Sequence, residues 1–201
     1  MNRLAQLGLA LALTAPAAMA QQAAPAVPAA PATPTAVAAP AAPAAATLPA
    51  ARAADVASID AIIAALYDVI SGPAGAPRDW DRMRSLFALE GRMGAVVGRP
   101  DGSFVLRAMS PEDYISRNTK AFATMGFFET EMARTVETFG QIAHVFSTYE
   151  ARHARDDAKP FMRGINSIQL IHDGKRWYVL SLIWRAEDAK LQLPERYLSK
   201  G

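Results

Sequence analysis

His144 is the side chain of this sequence best suited, by type and position, to acid–base chemistry. Imidazole titrates near neutral pH, and His144 lies in the middle of a predicted strand, Gln141 to Arg152, so its ring faces one side of a sheet. If that side lines a cavity, His144 acts as an acid or base, together with Glu150 or an acid on a helix. If it is the outer side, His144 lies on the surface or in a dimer contact.

The other two histidines do not extend this site. His153 lies in a charged loop and His172 precedes a predicted turn, both far along the chain from His144. Histidine metal sites need ligands at characteristic spacings. The sequence therefore predicts no metal site, and it carries no signal for a cofactor.

Glu150 and Arg163 lie near the ends of two successive predicted strands. Opposite charges on neighbouring strands form ion pairs of modest energy, so the first interpretation is a cross-strand ion pair. The alternative is that Glu150 is a catalytic carboxylate.

Five residues on the predicted C-terminal strands are candidate ligand contacts: Tyr149, Asn166, Trp177, Ser181 and Trp184. Asn166 and Ser181 form a polar pair on an apolar face, where a polar group must find a hydrogen-bond partner. They form hydrogen bonds either with each other or with a ligand. The three aromatic residues line a pocket for a small apolar molecule, or they pack in the core or a dimer interface.

The stretch Pro160 to Glu187 predicts a long β-hairpin. Asp173-Gly174 is a signal for a two-residue turn, because Gly adopts positive φ without strain. This turn places the following residues opposite each other: Leu170 and Trp177, Ile168 and Val179, Asn166 and Ser181, and Gly164 and Ile183.

Upstream of this hairpin the patterns predict three helices and further strands. The helices are Asp55 to Ser71, Trp80 to Phe87 with Asp79 as N-cap, and a third that begins at Ser110-Pro111 and ends at Gly126. A small hairpin, Arg92 to Val97 and Phe104 to Arg107, separates the last two. From Phe127 onward the pattern is that of strands. Helices first and an antiparallel meander last predict an α+β domain.

Residues 1–20 have the pattern of a secretory signal peptide. Arg3 precedes a short apolar core, and Ala18-Met19-Ala20 fits a small-x-small cleavage site. The segment is either cleaved after Ala20, leaving no transmembrane segment, or kept as a membrane anchor. A span needs ~20 apolar residues, more than this core supplies, which favours cleavage and export to a bacterial periplasm or out of the cell.

Residues 21–54 predict a linker. Residues 21–50 contain 15 alanines and 7 prolines, a composition that favours an extended or disordered spacer and offers little surface to bury. The folded domain is expected at residues 55–187, and residues 188–201 form a polar C-terminal tail.

Composition excludes several classes of protein. The chain of 201 residues has no cysteine, which rules out disulfides and cysteine chemistry. Its formal net charge is +2 and it has no run of Lys and Arg, so no nucleic-acid partner is predicted.

Three motifs resemble those of a known family. They are V-x-S-x-Y from Val145 to Tyr149, R-G-x-x-S-x-Q-L from Arg163 to Leu170, and D-G-x-x-W from Asp173 to Trp177. They resemble the last three strands of the nuclear transport factor 2-like superfamily, which includes SnoaL-like proteins, and the resemblance covers residues 55–187.

The resemblance implies an α+β cone roll in which a strongly curved antiparallel sheet packs around three N-terminal helices and leaves a pocket at its open end. It also implies a homodimer through the outer sheet face. The superfamily includes isomerases, dehydratases, polyketide cyclases and binding modules, and fold alone does not choose among them. Its enzymes mostly use an Asp, or an Asp and His pair, whereas the three C-terminal strands here contain no Asp.

Two functions follow from this reading. The first is an exported, non-catalytic domain that binds a small apolar ligand or a partner protein, including the simpler role of a tethered structural domain. The second is a SnoaL-like isomerase, dehydratase or cyclase that uses His144.

Overall fold

The computed structural model describes residues 47–198. The predicted signal peptide, residues 21–46 of the predicted linker and the last three residues of the tail lie outside the described residues. None of the helices in the described range is long and apolar enough to cross a membrane.

Short polar side chains cap the N-termini of three of the described helices. The described residues form four α-helices, α1 (Ala53–Val56), α2 (Ile59–Ile70), α3 (Trp80–Leu86) and α4 (Pro111–Phe122), and one 3-10 turn (Glu195–Tyr197). The predicted first helix is divided into α1 and α2, because Ser58 is extended and its side chain accepts a hydrogen bond from the Ala61 N–H. Asp79 caps α3 as predicted, and Ser110 and Asp113 form a capping box at α4.

Six strands form one sheet. They are β1 (Phe87–Gly98), β2 (Phe104–Met109), β3 (Phe128–Phe139), β4 (Ile142–Arg152), β5 (Met162–His172) and β6 (Trp177–Ala186), and their order across the sheet is β2-β1-β6-β5-β4-β3. The pair β1–β6 is parallel and every other neighbouring pair is antiparallel. The fold is thus α+β, as the sequence predicts, with a curved, open sheet. The parallel pair β1–β6 departs from the antiparallel sheet that the family resemblance implies.

One face of the sheet packs against the helices, and we call it the inner face. The buried cluster joins residues of α2, α3 and α4 to alternate residues of the central strands, including Ile63, Met83, Val145, Ile168 and Val179. These side chains exclude water between the two layers, and their burial is the main driving force for this packing.

The predicted register of the C-terminal hairpin is wrong. Its loop spans four residues, Asp173 to Arg176, so that His172 lies opposite Trp177. The Asp173 carboxylate accepts hydrogen bonds from the N–H groups of Lys175 and Arg176, and Gly174 has φ 95°. This side-chain capping stabilises a wider turn than the dipeptide Asp-Gly predicts.

A bulge in β6 shifts the register further and reverses its faces. Leu170 lies opposite Val179, but the next pair is Gln169 with Ser181, which leaves Leu180 unmatched. Asn166 consequently lies opposite Trp184 rather than Ser181. One extra residue moves all following side chains to the opposite face.

The last residues of the predicted linker do bury surface, contrary to expectation. Ala51 packs against the core cluster, and Arg52 pairs with Asp79 at 2.6 Å. At the other end of the chain, Tyr197 of the tail packs edge-on against Phe146 on the outer face, with ring centroids 5.2 Å apart.

Gly164 is predicted not to tolerate the Cβ atom that an alanine would add. A Cβ at this position would lie 2.4 Å from the Arg185 carbonyl oxygen and 2.7 Å from the Tyr149 hydroxyl. We expect Gly164→Ala to lower the free energy of unfolding by about 1–3 kcal/mol, because the backbone cannot yield as a side chain would. Urea denaturation followed by circular dichroism measures this loss.

Gly98→Ala is the matched control, because a Cβ there meets only the Phe104 ring at 3.6 Å. Its free energy of unfolding should stay within about 0.5 kcal/mol of the wild type. Equal losses in the two variants would contradict the close approach at Gly164.

Candidate functional site

A cavity lies between the helices and the inner face of the sheet. Its volume is about 170 Å³, more than the roughly 150 Å³ that suffices for benzene in an engineered apolar cavity. Most of its lining is apolar or aromatic: Leu66, Val69, Ile70, Met83, Met93, Phe127, Met162, Ile168, Leu182 and Trp184. Its polar lining residues are Tyr67, Tyr114, Asn118, Glu129, Tyr149 and Asn166. An apolar cavity with a few convergent polar groups is the usual form of a small-molecule site.

Glu129 lies near the start of β3 and faces inward because it is paired with Ala151, whose side chain is fully buried. The Ser71 hydroxyl at the end of α2 accepts a hydrogen bond from the Glu129 N–H at 3.0 Å. This bond fixes the backbone of Glu129 against the helix layer. The carboxyl group is thereby held at the cavity by both the sheet and α2.

Burial raises the pKa of the Glu129 carboxyl to about 7. The residue as a whole is half-buried and lines the cavity, and the protein around its carboxyl removes most of the water that stabilises a charge. A hydrogen bond from Asn166 acts in the opposite direction and is the smaller effect. Glu129 is therefore poised to gain or lose a proton near neutral pH.

A chain of hydrogen bonds orients the groups next to Glu129. The Asn166 Nδ2 atom lies 3.2 Å from Glu129 Oε1 and 3.2 Å from the Tyr67 hydroxyl oxygen, so its two N–H groups serve one acceptor each. Tyr67 and Ser147 are 2.6 Å apart, and Ser147 donates to Glu131. Since the Ser147 proton points to Glu131, the Tyr67 hydroxyl donates to Ser147. Every donor in this series of hydrogen bonds has an acceptor. The network therefore fixes the orientation of the Asn166 amide, with one N–H group toward Glu129.

Tyr149 supplies a free hydrogen-bonding group at the cavity. The residue is 1% exposed, and its hydroxyl is buried with no hydrogen-bond partner in the described part of the chain. Gly164 makes room for this hydroxyl, because any larger residue would displace it. A buried hydroxyl without a partner is costly.

The three tyrosines around Glu129 stay protonated near neutral pH. Burial, reinforced by the negative charge of Glu129, raises the pKa of Tyr67, Tyr114 and Tyr149 above the ordinary value. Their hydroxyls are therefore hydrogen-bond donors and acceptors rather than charged groups.

The structure brings some of the predicted ligand contacts to the cavity and separates others. Tyr149, Asn166 and Trp184 line it, whereas Trp177 and Ser181 do not. Ser181 lies beyond the β6 bulge on the outer face, and Trp177 lies at the hairpin end, edge-on to His172 at 5.0 Å. The predicted Asn166–Ser181 pair is wrong for the same reason. The role of each residue in ligand binding stays a prediction.

His144 lies on the outer face of β4. Its Nε2 atom is 3.1 Å from the Ser167 hydroxyl, and its ring is 5.9 Å from that of Phe146. Neighbouring Val145 is fully buried on the inner face, and side chains alternate along a strand. His144 is thus separated from the cavity by the sheet itself.

The predicted ion pair of Glu150 with Arg163 is wrong, although the two residues lie directly opposite each other on β4 and β5. The Arg163 guanidinium instead makes two bonds, of 2.8 and 3.1 Å, to the Glu187 carboxylate. Glu150 pairs with Arg152 on its own strand. Glu150 does not line the cavity.

Sequence reasoning missed Glu129, the one carboxyl group at the cavity. Its signal was present: Phe127 and Glu129 are two residues apart and so share a face at the start of a strand. Between Glu131 and Ala133 the register shifts, which reverses the alternation for the rest of β3. Because the residues beyond this shift are exposed, the sequence pattern of the whole strand resembles that of a solvent-exposed strand.

Comparisons with known proteins find likeness at the level of structure. No protein-family model matches the chain, and no curated protein does either. Three similar solved structures illustrate the likeness. One is a protein of unknown function with a cystatin-like fold from Nostoc punctiforme, at 12% identity over 65% of this chain and 90% of that chain, with a TM-score of 0.49.

The second is a nuclear transport factor 2-like protein of unknown function from Silicibacter pomeroyi, at 20% identity over 65% of this chain and 94% of that one, with a TM-score of 0.43. The third is a candidate dehydratase of the same family from Streptomyces avermitilis, at 14% identity over 67% and 97% of the chains, with a TM-score of 0.47. The described residues form an α+β fold with a six-stranded sheet. The likenesses concern the fold, so function is argued from this chain's own residues.

Glu129→Gln tests the buried carboxyl. The folded pKa of about 7 lies above the ordinary 4.5, so the folded state holds the proton more tightly than the unfolded state. The stability from this group is complete below pH 4.5 and is lost as pH rises through 7. We expect the variant to lack this loss and to exceed the wild type at pH 8 by on the order of 3 kcal/mol in free energy of unfolding.

Urea denaturation at pH 5 and pH 8 measures the difference, with Glu137→Gln as control because Glu137 is exposed on the same strand. The control should follow the wild type. A Glu129→Gln protein with the wild-type pH dependence would show that this carboxyl titrates normally.

Proposed function

We propose that this domain binds one small, largely apolar molecule in its cavity, with a polar group of that molecule placed against Glu129 and Tyr149. The observation that carries the proposal is an apolar cavity with one charged lining residue among residues 47–198, Glu129, and a second lining residue, Tyr149, whose buried hydroxyl has no partner in that range. A hydroxyl in such a place is stabilised only when a bound molecule or water completes it.

The predicted signal peptide supports a role after export, in the periplasm or outside the cell. Export would place the cavity in contact with molecules that reach the envelope rather than with cytoplasmic metabolites. Fusing residues 1–54 to a reporter that is active only after export tests this part of the proposal. Export should fail when residues 4–18 are deleted.

We also propose that the domain forms a homodimer through the outer face of the sheet. Phe104, Leu106 and Ile183 lie together on this face and are 60%, 50% and 39% exposed. Clustered exposed apolar side chains mark interaction surfaces. Sedimentation of the wild type beside Leu106→Glu tests the proposal, because the buried charge should yield monomers, whereas a monomeric wild type would contradict it.

A second candidate function is proton transfer, and the raised pKa of Glu129 favours it. A general base works best with a pKa near the working pH. In this function the Glu129 carboxylate takes a proton from the carbon beside a carbonyl group, and the Tyr149 hydroxyl donates a hydrogen bond to the carbonyl oxygen as it becomes negative. Glu129 here takes the role that the sequence suggested for His144.

Ligand binding is tested by filling the cavity. Met162 lines it, whereas the adjacent Phe161 is 45% exposed and does not. We expect neutral probes such as indole and benzyl alcohol to raise the thermal midpoint of the wild type and of Phe161→Trp, because binding to the folded state stabilises it. Met162→Trp should fold but lose the response, since the larger ring occupies the space. A wild type that responds to none of the probes, or a filled variant that still responds, would contradict the proposal.

Proton transfer is tested by deuterium exchange at the carbon next to the carbonyl of cyclohexanone in D₂O, followed by NMR. We expect Glu129→Gln to exchange this proton about 10²- to 10⁴-fold more slowly than the wild type. His144→Ala should match the wild type, because the sheet separates His144 from the cavity. Exchange no faster than in buffer would eliminate this second function for such ketones and leave ligand binding unaffected.

A further inference from the structure

Among residues 47–198, Glu129 is the only charged side chain that lines the cavity, and none of the lining residues in this range is Lys, Arg or His. A buried carboxylate is usually paired with a cation, because unpaired burial costs several kcal/mol. The described lining residues therefore supply no cation to the Glu129 carboxylate, and its charge partner is left to a molecule bound in the cavity.

Glu131, on the same strand, is an acid whose charge is paired within the protein. Its carboxylate lies 3.0 Å from the Arg134 guanidinium and also accepts the Ser147 hydroxyl. Glu129, two residues earlier, receives one hydrogen bond, from Asn166 to Oε1. A carboxylate has about four acceptor sites, so most of the hydrogen-bonding capacity of Glu129 is left to the cavity.

The rest of the lining also suits a positive charge. Five aromatic rings belong to it: Tyr67, Tyr114, Phe127, Tyr149 and Trp184. Tyr114 and Trp184 meet edge to face with centroids 6.4 Å apart. The negative faces of such rings attract cations, and the attraction is larger where water is excluded.

We propose that the ligand of this cavity is an apolar amine that is protonated at neutral pH, whose N–H groups bind the Glu129 carboxylate. The inference rests on the proposed binding function and specifies the ligand class. The ammonium group supplies the missing cation and donates its N–H groups to the Glu129 carboxylate. The volume of about 170 Å³ suits an apolar body of roughly one six-membered ring.

The charge of Glu129 gives this proposal a pH signature. The titratable groups that face it are Tyr67 from α2, Tyr114 from α4, Tyr149 from β4 and Glu131 on its own strand. Burial keeps the tyrosines neutral, and Arg134 pairs with Glu131. The ammonium binds the ionised form of Glu129, so its affinity rises with pH as Glu129 loses its proton.

Three matched probes test the ligand class by isothermal titration calorimetry of the full chain: benzylamine, benzyl alcohol and benzoate. The expected order of affinity at pH 8 is benzylamine, then benzyl alcohol, with benzoate not binding. Between pH 8 and pH 6 the affinity for benzylamine should fall about 10-fold, following the ionised fraction of a group with pKa about 7. The affinity for benzyl alcohol should change by less than about 2-fold.

Two variants complete the test. Glu129→Gln should lose the preference for benzylamine and its dependence on pH, and a wild-type circular dichroism spectrum shows that the variant is folded. Glu137→Gln should retain the preference. An amine that binds no tighter than the alcohol at pH 8, or a preference that survives in Glu129→Gln, overturns the inference while ligand binding stands. Failure of both probes to bind overturns it as well, and the cavity-filling experiment then decides separately whether the cavity binds anything.

Discussion

Removal of water from the Glu129 carboxyl is the constraint on which the site depends. A carboxylate loses its solvation when it is enclosed, and it must gain a cation, gain hydrogen bonds or take up a proton. Here the protein supplies a single N–H from Asn166, so the proton is held until near-neutral pH. The proposals of ligand binding and of proton transfer both rest on this one incomplete compensation.

The surrounding network shows that the arrangement is specific. Asn166 is held by Tyr67, Tyr67 by Ser147, and Ser147 by Glu131. This chain spans α2, β5, β4 and β3, so the position of the Asn166 amide depends on the docking of the helix layer against the sheet. A displacement of α2 would therefore alter the pKa of Glu129 through Asn166 as well as through the Ser71 bond.

Two irregularities in the sheet decide which residues meet in the cavity. In β6 the unmatched Leu180 turns Trp184 inward and Ser181 outward. In β3 the register shift between Glu131 and Ala133 separates the inward start of the strand from its exposed end. Bulges of this kind commonly re-aim side chains beside functional sites. His144, the first candidate for acid–base chemistry, lies on the outer face of β4. No register shift interrupts the pairing of β4 with β5 there.

The sequence by itself determined the order of the main helices and strands, the caps at Asp79 and Ser110, and the α+β class. These features depend on neighbours within a few residues, such as Ser110 with Asp113 at the start of α4. Tyr149, Asn166 and Trp184 were also singled out by residue type alone. Only the tertiary structure decided that they share one cavity, that His144 and Glu150 are excluded from it, and that Glu129 belongs to it. Register and burial depend on bulges and on contacts between segments distant in the chain. The alternation of polar and apolar residues along a single strand reveals neither.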